Sequence, residues 1–148
     1  MSVKKSCACF GHRTLESDLT RHLEKAINTM IQEYRITTFW CGGYGAFDKK
    51  AARAVYQIRE EQPEIELVLV RAYLPKPGEE LSDIYDGSIY PEGLEKVPKR
   101  FAISRRNQWM AKNCDTAITY VNHTYGGAYT AASMLEKRQI TVCKLGKL

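Results

Sequence analysis

The sequence predicts a single α/β domain in which a doubly wound, mostly parallel five-stranded sheet carries helices on both faces. Three observations point there. Short apolar, β-branched or aromatic runs alternate with longer segments of helical periodicity along the whole chain. Two of those runs end in glycine turns, Gly42-Gly43-Tyr44-Gly45 and Gly126-Gly127-Ala128, which open directly into helical patterns. A third run ends at Gly11-His12-Arg13 and is again followed by a helix.

Residues 6–10 read as a buried strand closed by Gly11. Residues 14–18 read as the start of the first helix, with Glu16 and Asp18 placed to favour the positive end of its dipole. Leu19, Leu23, Ala26, Ile27, Met30, Ile31 and Tyr34 then recur in steps of three and four, which puts them on one face. Residues 37–41 (TTFWC) are β-branched and aromatic and form the second strand. Phe47, Ala51, Ala54, Val55 and Ile58 mark a second amphipathic helix, stopped by Pro63. Residues 65–72 are a third strand.

Residues 73–97 break the alternation. Four of the five prolines lie in or beside this stretch, with several tyrosines. A connection this long is uncommon unless it is functional, and Tyr85 and Tyr90 are placed to form a lid over a ligand. Pro98 fits the first turn of a third helix running to Asn113. Residues 117–121 give a fourth strand, 128–137 a helix and 140–143 a last short strand.

The 148 residues suit one domain, 1–148, large enough to bury a core without disulfides or metals. The five cysteines, mostly in or beside apolar runs, indicate reduced thiols and a cytoplasmic protein. No paired zinc-type spacing occurs, so neither a metal nor a cofactor is expected. No apolar stretch reaches the roughly 20 residues of a membrane span, and residues 1–5 lack the apolar region of a signal peptide. The net charge of +5 suits an anionic ligand. The basic residues are scattered, which argues against nucleic acid as a partner, since backbone binding needs a clustered positive track.

A strand that ends in glycines and passes into a helix N-terminus is an anion site, because backbone N–H groups approach a phosphate closely and the helix end is partly positive. Gly11, Gly42, Gly43, Tyr44, Gly45, Gly126, Gly127 and Ala128 are therefore expected to line one phosphate-binding pocket at the carboxyl ends of the strands. Arg13 is expected to clamp the phosphate, with His12 as a base or donor beside it. Asp48, at the start of the second helix, favours the helix dipole; any ligand contact it makes is with a ribose hydroxyl rather than phosphate. Arg105 and Arg106 diverge by about 100° on a helix, so only one of them faces a given pocket.

Five segments taken in order resemble one known group: Cys9-Phe10-Gly11-His12-Arg13, Gly42-Gly43-Tyr44-Gly45-Ala46-Phe47-Asp48, Tyr90-Pro91-Glu92-Gly93-Leu94-Glu95, Arg106-Asn107-Gln108-Trp109-Met110 with Cys114-Asp115, and Tyr125-Gly126-Gly127-Ala128. They resemble the SLOG superfamily, which includes the lonely-guy phosphoribohydrolases and the DNA-processing protein DprA, and most of all its small stand-alone bacterial and phage members. The resemblance spans nearly the whole chain and implies a Rossmann-like domain that binds a nucleotide or nucleotide-derived ligand. It also implies a homo-oligomer.

In the phosphoribohydrolases an Arg-Lys-x-x-Met segment precedes an Asp-containing strand and a Gly-Gly-x-Gly-Thr-x-x-Glu turn. Arg106 and Met110 keep the spacing, with Asn107 in place of Lys, and Gly126, Gly127 and Thr130 fit the turn. Arg106, Asn107 and Thr130 are accordingly implied as ligand contacts. Ala132 and Ser133 stand where acidic residues are needed, and a methyl group cannot supply the acid/base help that N-glycosidic cleavage requires. The expected function is therefore binding: sensing, carrying or sequestering a small nucleotide. The alternatives are a nucleoside 5′-monophosphate hydrolase, with Glu92 as substitute acid and Arg106 as its catalytic partner, and single-stranded DNA binding of the DprA kind.

Overall fold

A computed structural model describes residues 4–148. Residues 1–3, part of the segment read for a signal peptide, lie outside the described residues. The elements run β1 (Ser6–Gly11), α1 (Thr20–Tyr34), β2 (Thr38–Cys41), α2 (Gly45–Glu61), β3 (Glu66–Val70), β4 (Gly87–Ile89), α3 (Ala102–Asn113), β5 (Thr116–Tyr120), α4 (Gly127–Arg138) and β6 (Thr141–Lys144). All strands are parallel and form one sheet in the order β4-β3-β2-β1-β5-β6.

The sheet thus has six strands and not the expected five. The extra one, β4, lies inside the proline-rich connection and pairs with β3 at the sheet edge. Its three residues contain one apolar side chain, so no hydrophobic run announces it. Long-range contacts hold it instead. The Asp86 carboxylate accepts the Leu67 N–H at 2.8 Å and pairs with the Arg59 guanidinium, which also donates to the Ile84 carbonyl. Short 3-10 turns over Leu94–Lys96 and Lys99–Phe101 complete the connection and lead into α3.

The first helix begins at Thr20, not at residues 14–18. Asp18 accepts the Thr20 N–H at 3.0 Å and its hydroxyl at 2.6 Å, so this acid precedes the helix and supports its first N–H from outside. The third helix begins at Ala102 rather than around Pro98, because Lys99–Phe101 forms a separate 3-10 turn that Pro98 precedes. The other elements match their expected positions to within a residue or two.

The pleat sends alternate residues of β1 to opposite faces. Cys7 and Cys9 join the core beneath α1 and α2, with Leu23, Ile27, Met30, Phe39, Phe47 and Val55. Ala8 and Phe10 join the core beneath α3 and α4, with Met110, Ala111, Ala131 and Leu135. Helices therefore cover both faces. At the end of the sheet remote from the glycine turns, Asp115 accepts the Ser6 N–H at 2.8 Å.

From β1 the chain winds through β2 and β3 to β4 at one edge, then returns to place β5 on the other side of β1. The winding reverses between β1 and β5. A crevice opens beyond the carboxyl ends of strands at such a point.

Candidate functional site

Three turns meet at that crevice and enclose a cavity of about 300 Å³. The first turn contributes Gly11, His12 and Arg13, the second Gly42 and Tyr44, and the third Gly126, Gly127 and Ala128. Direct contacts tie them together. The Arg13 carbonyl accepts the Ala46 N–H at 2.8 Å, joining the first turn to the start of α2. His12 Nε2 accepts the Asn122 N–H at 2.8 Å, joining the first turn to the end of β5. Gly11 has no room for a side chain, since a Cβ there would stand 2.1 Å from the Phe47 ring.

Arg106 lies under the crevice, 1% exposed, on the face of α3 turned to the sheet, whereas Arg105 is exposed. Its Nη1 donates to the carbonyls of Gly42 at 2.7 Å and Val70 at 2.9 Å, and its Nε donates to Asn107 Oδ1 at 2.9 Å. The side chain therefore fastens the carboxyl ends of β2 and β3 while lining the cavity with buried positive charge. Burial pushes its pKa down, and the nearby Asp48 carboxylate opposes that shift.

Asp48 is also buried and lines the same cavity. It accepts the Tyr44 N–H at 3.0 Å. Burial raises its pKa to about 6, against the pull of the Tyr44 N–H and Arg106. The start of α2 thus carries its own carboxylate. The start of α4 has no side-chain cap and no acid in its first turn. Of the two helix ends at the crevice, α4 is the one electrostatically open to a phosphate.

One wall is a column of rings. His12 stacks on His123 with centroids 3.6 Å apart, and His123 stacks on Tyr125 at 3.8 Å. Because His12 Nε2 accepts a hydrogen bond, the ring is neutral with its proton on Nδ1. Burial lowers its pKa, and His123 lowers it further.

The sequence names Tyr125 only within a motif and His123 not at all as a site residue. They lie in the turn between β5 and α4, as His12 and Arg13 lie in the turn after β1, and their place in a strand-to-helix turn was the available signal.

The remaining expected site residues are dispersed. Asn107 reaches the crevice beside Gly127. Thr130 turns its hydroxyl back to the Gly126 carbonyl at 3.1 Å, on an exposed face of α4. Gly45 packs on the Arg13 backbone. Gly43 faces a second, larger cavity beside the first, which is also lined by Tyr85, Tyr90 and Glu95. Glu92 is exposed and lines neither cavity. Trp109 packs partly buried against Trp40. Among the described residues no group of three or more His, Cys, Asp or Glu side chains could hold a metal ion, and no helix is long and apolar enough to cross a membrane.

A doubly wound parallel sheet with glycine turns gathered at its switch point defines the Rossmann-like class of α/β proteins. Solved structures agree. The chain is similar to DNA processing protein A from Streptococcus pneumoniae, with 20% identity over 95% of this chain and 50% of that one, at a TM-score of 0.65. It is similar to DNA processing protein A from Helicobacter pylori, described for its single-stranded DNA binding mode, with 13% identity over 95% of this chain and 64% of that one, at a TM-score of 0.63. It is also similar to the Moco carrier protein of Chlamydomonas reinhardtii, with 15% identity over 98% of this chain and 78% of that one, at a TM-score of 0.58. The chain thus spans half the length of the first protein and 64% of the second.

At these identities the likeness concerns the fold alone, which is Rossmann-like. No protein-family model and no curated protein sequence matches the chain. The argument against a nucleic-acid partner gains no support from these likenesses.

Proposed function

We infer that this chain is a single nucleotide-binding domain that senses, carries or sequesters a nucleotide or nucleotide-derived small ligand at the carboxyl ends of its strands. The observation that carries the reading is the meeting of three strand-to-helix turns around one cavity. The uncapped start of α4 takes the phosphate, with Arg13 as its clamp and Arg106 supplying positive charge from below. Asn107 and the rings of His12 and His123 remain for ribose and base. Calorimetric titration with nucleoside 5′-monophosphates tests this. Saturable binding that Arg13→Ser weakens at least about tenfold is expected, and no binding by any of them removes the reading.

A hydrolase is the second reading, and Asp48 favours it. A carboxyl group held near pKa 6 inside the cavity can deliver a proton at neutral pH. It is a better placed acid than Glu92, which lies outside both cavities. Chromatographic detection of free base from nucleoside monophosphates, lost in Asp48→Asn, is the expected result. Single-stranded DNA binding draws on the description of one structural neighbour. A salt titration of oligonucleotide binding tests it, and absence of affinity at low salt rejects it. Self-association is part of the proposal and is read by sedimentation.

A further inference from the structure

We propose that the crevice and the larger cavity beside it form one two-chamber site, whose ligand is a nucleotide joined to a second ring system and of dinucleotide size. The proposal rests on the nucleotide-binding reading above. The larger cavity measures about 1050 Å³ and lies over the carboxyl ends of β2 and β3 beneath residues 71–99. It shares Gly42 and Tyr44 with the crevice, so the two spaces adjoin. Sites for a single small ligand span roughly 300–1,000 Å³. The crevice alone stands at the small end of that range, and one mononucleotide held there leaves the second chamber empty.

The lining of the second chamber identifies what fills it. Leu69 and Leu94 make an apolar floor, and Tyr44, Tyr73, Tyr85 and Tyr90 surround it with ring faces and hydroxyls. Such a surface takes a flat heterocycle. Arg71 and Lys99 stand at the same chamber and provide charge for an anionic linker. Neighbouring strands are about 4.8 Å apart, so the crevice over β1 and the chamber over β3 are two strand spacings, about 10 Å, from each other.

Tyr44 forms the shared wall. It is 44% exposed, and its ring is steadied by Tyr73 edge-on at 6.1 Å and by the Arg106 guanidinium at 6.0 Å. The structural role of the 71–99 connection is then to build the second chamber, with the Tyr73 hydroxyl donating to the Lys99 carbonyl at 3.0 Å to tie its two limbs together.

The test compares the common nucleoside 5′-monophosphates with the matching symmetric dinucleoside pyrophosphates by calorimetry, on the wild-type chain and on Tyr90→Ala and Lys99→Ser. Lys99 is at an exposed position, so its variant keeps the test available if Tyr90→Ala does not fold. At least one dinucleoside pyrophosphate is expected to bind about tenfold or more tighter than its monophosphate. The variants are expected to remove that advantage and leave monophosphate affinity unchanged. Equal affinity for the two classes, or variants without effect, overturns the two-chamber site while the nucleotide reading stands. Binding by neither class overturns both. An oligothymidylate that binds while every dinucleotide fails overturns the two-chamber site in favour of a strand of DNA.

Discussion

Arg106 and Gly42, 64 residues apart in the chain, meet as a buried guanidinium against a backbone carbonyl at 2.7 Å. The glycine is required by that approach, because a Cβ at residue 42 would stand 2.6 Å from the guanidinium carbon. The same guanidinium holds the Val70 carbonyl, so one side chain of α3 fixes the ends of two strands at the crevice.

Removing that side chain leaves two buried carbonyls without their donor. Arg106→Met is expected to lower unfolding free energy by about 3 kcal/mol, read from the denaturant midpoint. Gly42→Ala is expected to destabilise through the same clash. If Arg106→Met unfolds at the wild-type midpoint, the guanidinium does not fasten the strand ends.

The pH behaviour of Asp48 has a definite sign. Its folded pKa of about 6 lies above the ordinary value of 3.8, so the folded state holds the proton more tightly than the unfolded chain. Its contribution is fully favourable below about pH 4 and is lost as pH rises through 6. The gap corresponds to about 3 kcal/mol as an upper figure. Asp48→Asn keeps an acceptor for the Tyr44 N–H and removes the charge, so it is expected to raise stability at pH 7.5 and to leave it unchanged at pH 4. Anion affinity in the crevice is expected to strengthen as pH falls through 6 and to lose that dependence in the variant. Titration calorimetry at several pH values reads both slopes.

His12 acts with the opposite sign. Its pKa is depressed by burial and by His123, so protonation opposes the folded state as pH drops below the ordinary 6.5. Protonated Nε2 can no longer accept the Asn122 N–H. Carbon-bound ring proton shifts followed by NMR are expected to give His12 a pKa below the ordinary value, raised toward it in His123→Ala. An unchanged His12 titration in that variant would contradict the stacked pair.

Much of this architecture is legible in the sequence, and the misses have physical causes. The continuous apolar run Cys7-Ala8-Cys9-Phe10 and glycines at strand ends mark a buried parallel sheet without knowledge of any partner. The divergence of adjacent helical residues separates buried Arg106 from exposed Arg105. By contrast, β4 exists through Asp86, Arg59 and the β3 ladder, all tertiary contacts, so its own three residues carry no signature. Asp18 misled because an acid just before a helix and an acid in its first turn both serve the same N–H groups. The ring column of His12, His123 and Tyr125 depends on two strand ends being neighbours, which only the β1–β5 pairing decides.

Gly126 supplies one more prediction. Its φ of 92° and ψ of 173° belong to a region that side chains scarcely enter, and it begins α4. Gly126→Ala is expected to cost about 2 kcal/mol and to turn the first N–H groups of α4 away from the crevice. Thermal melts read the first effect, and phosphate-dependent stabilisation, reduced relative to wild type, reads the second.

The connection between β3 and α3 adds the edge strand β4 and meets the glycine bends at the second one, around Gly42, Gly43 and Tyr44. On the two-chamber proposal, grip and discrimination fall to different stretches of chain. A transplanted or redrawn 71–99 insert is then expected to change which molecule is welcomed without disturbing the bends proposed to seize its charged end.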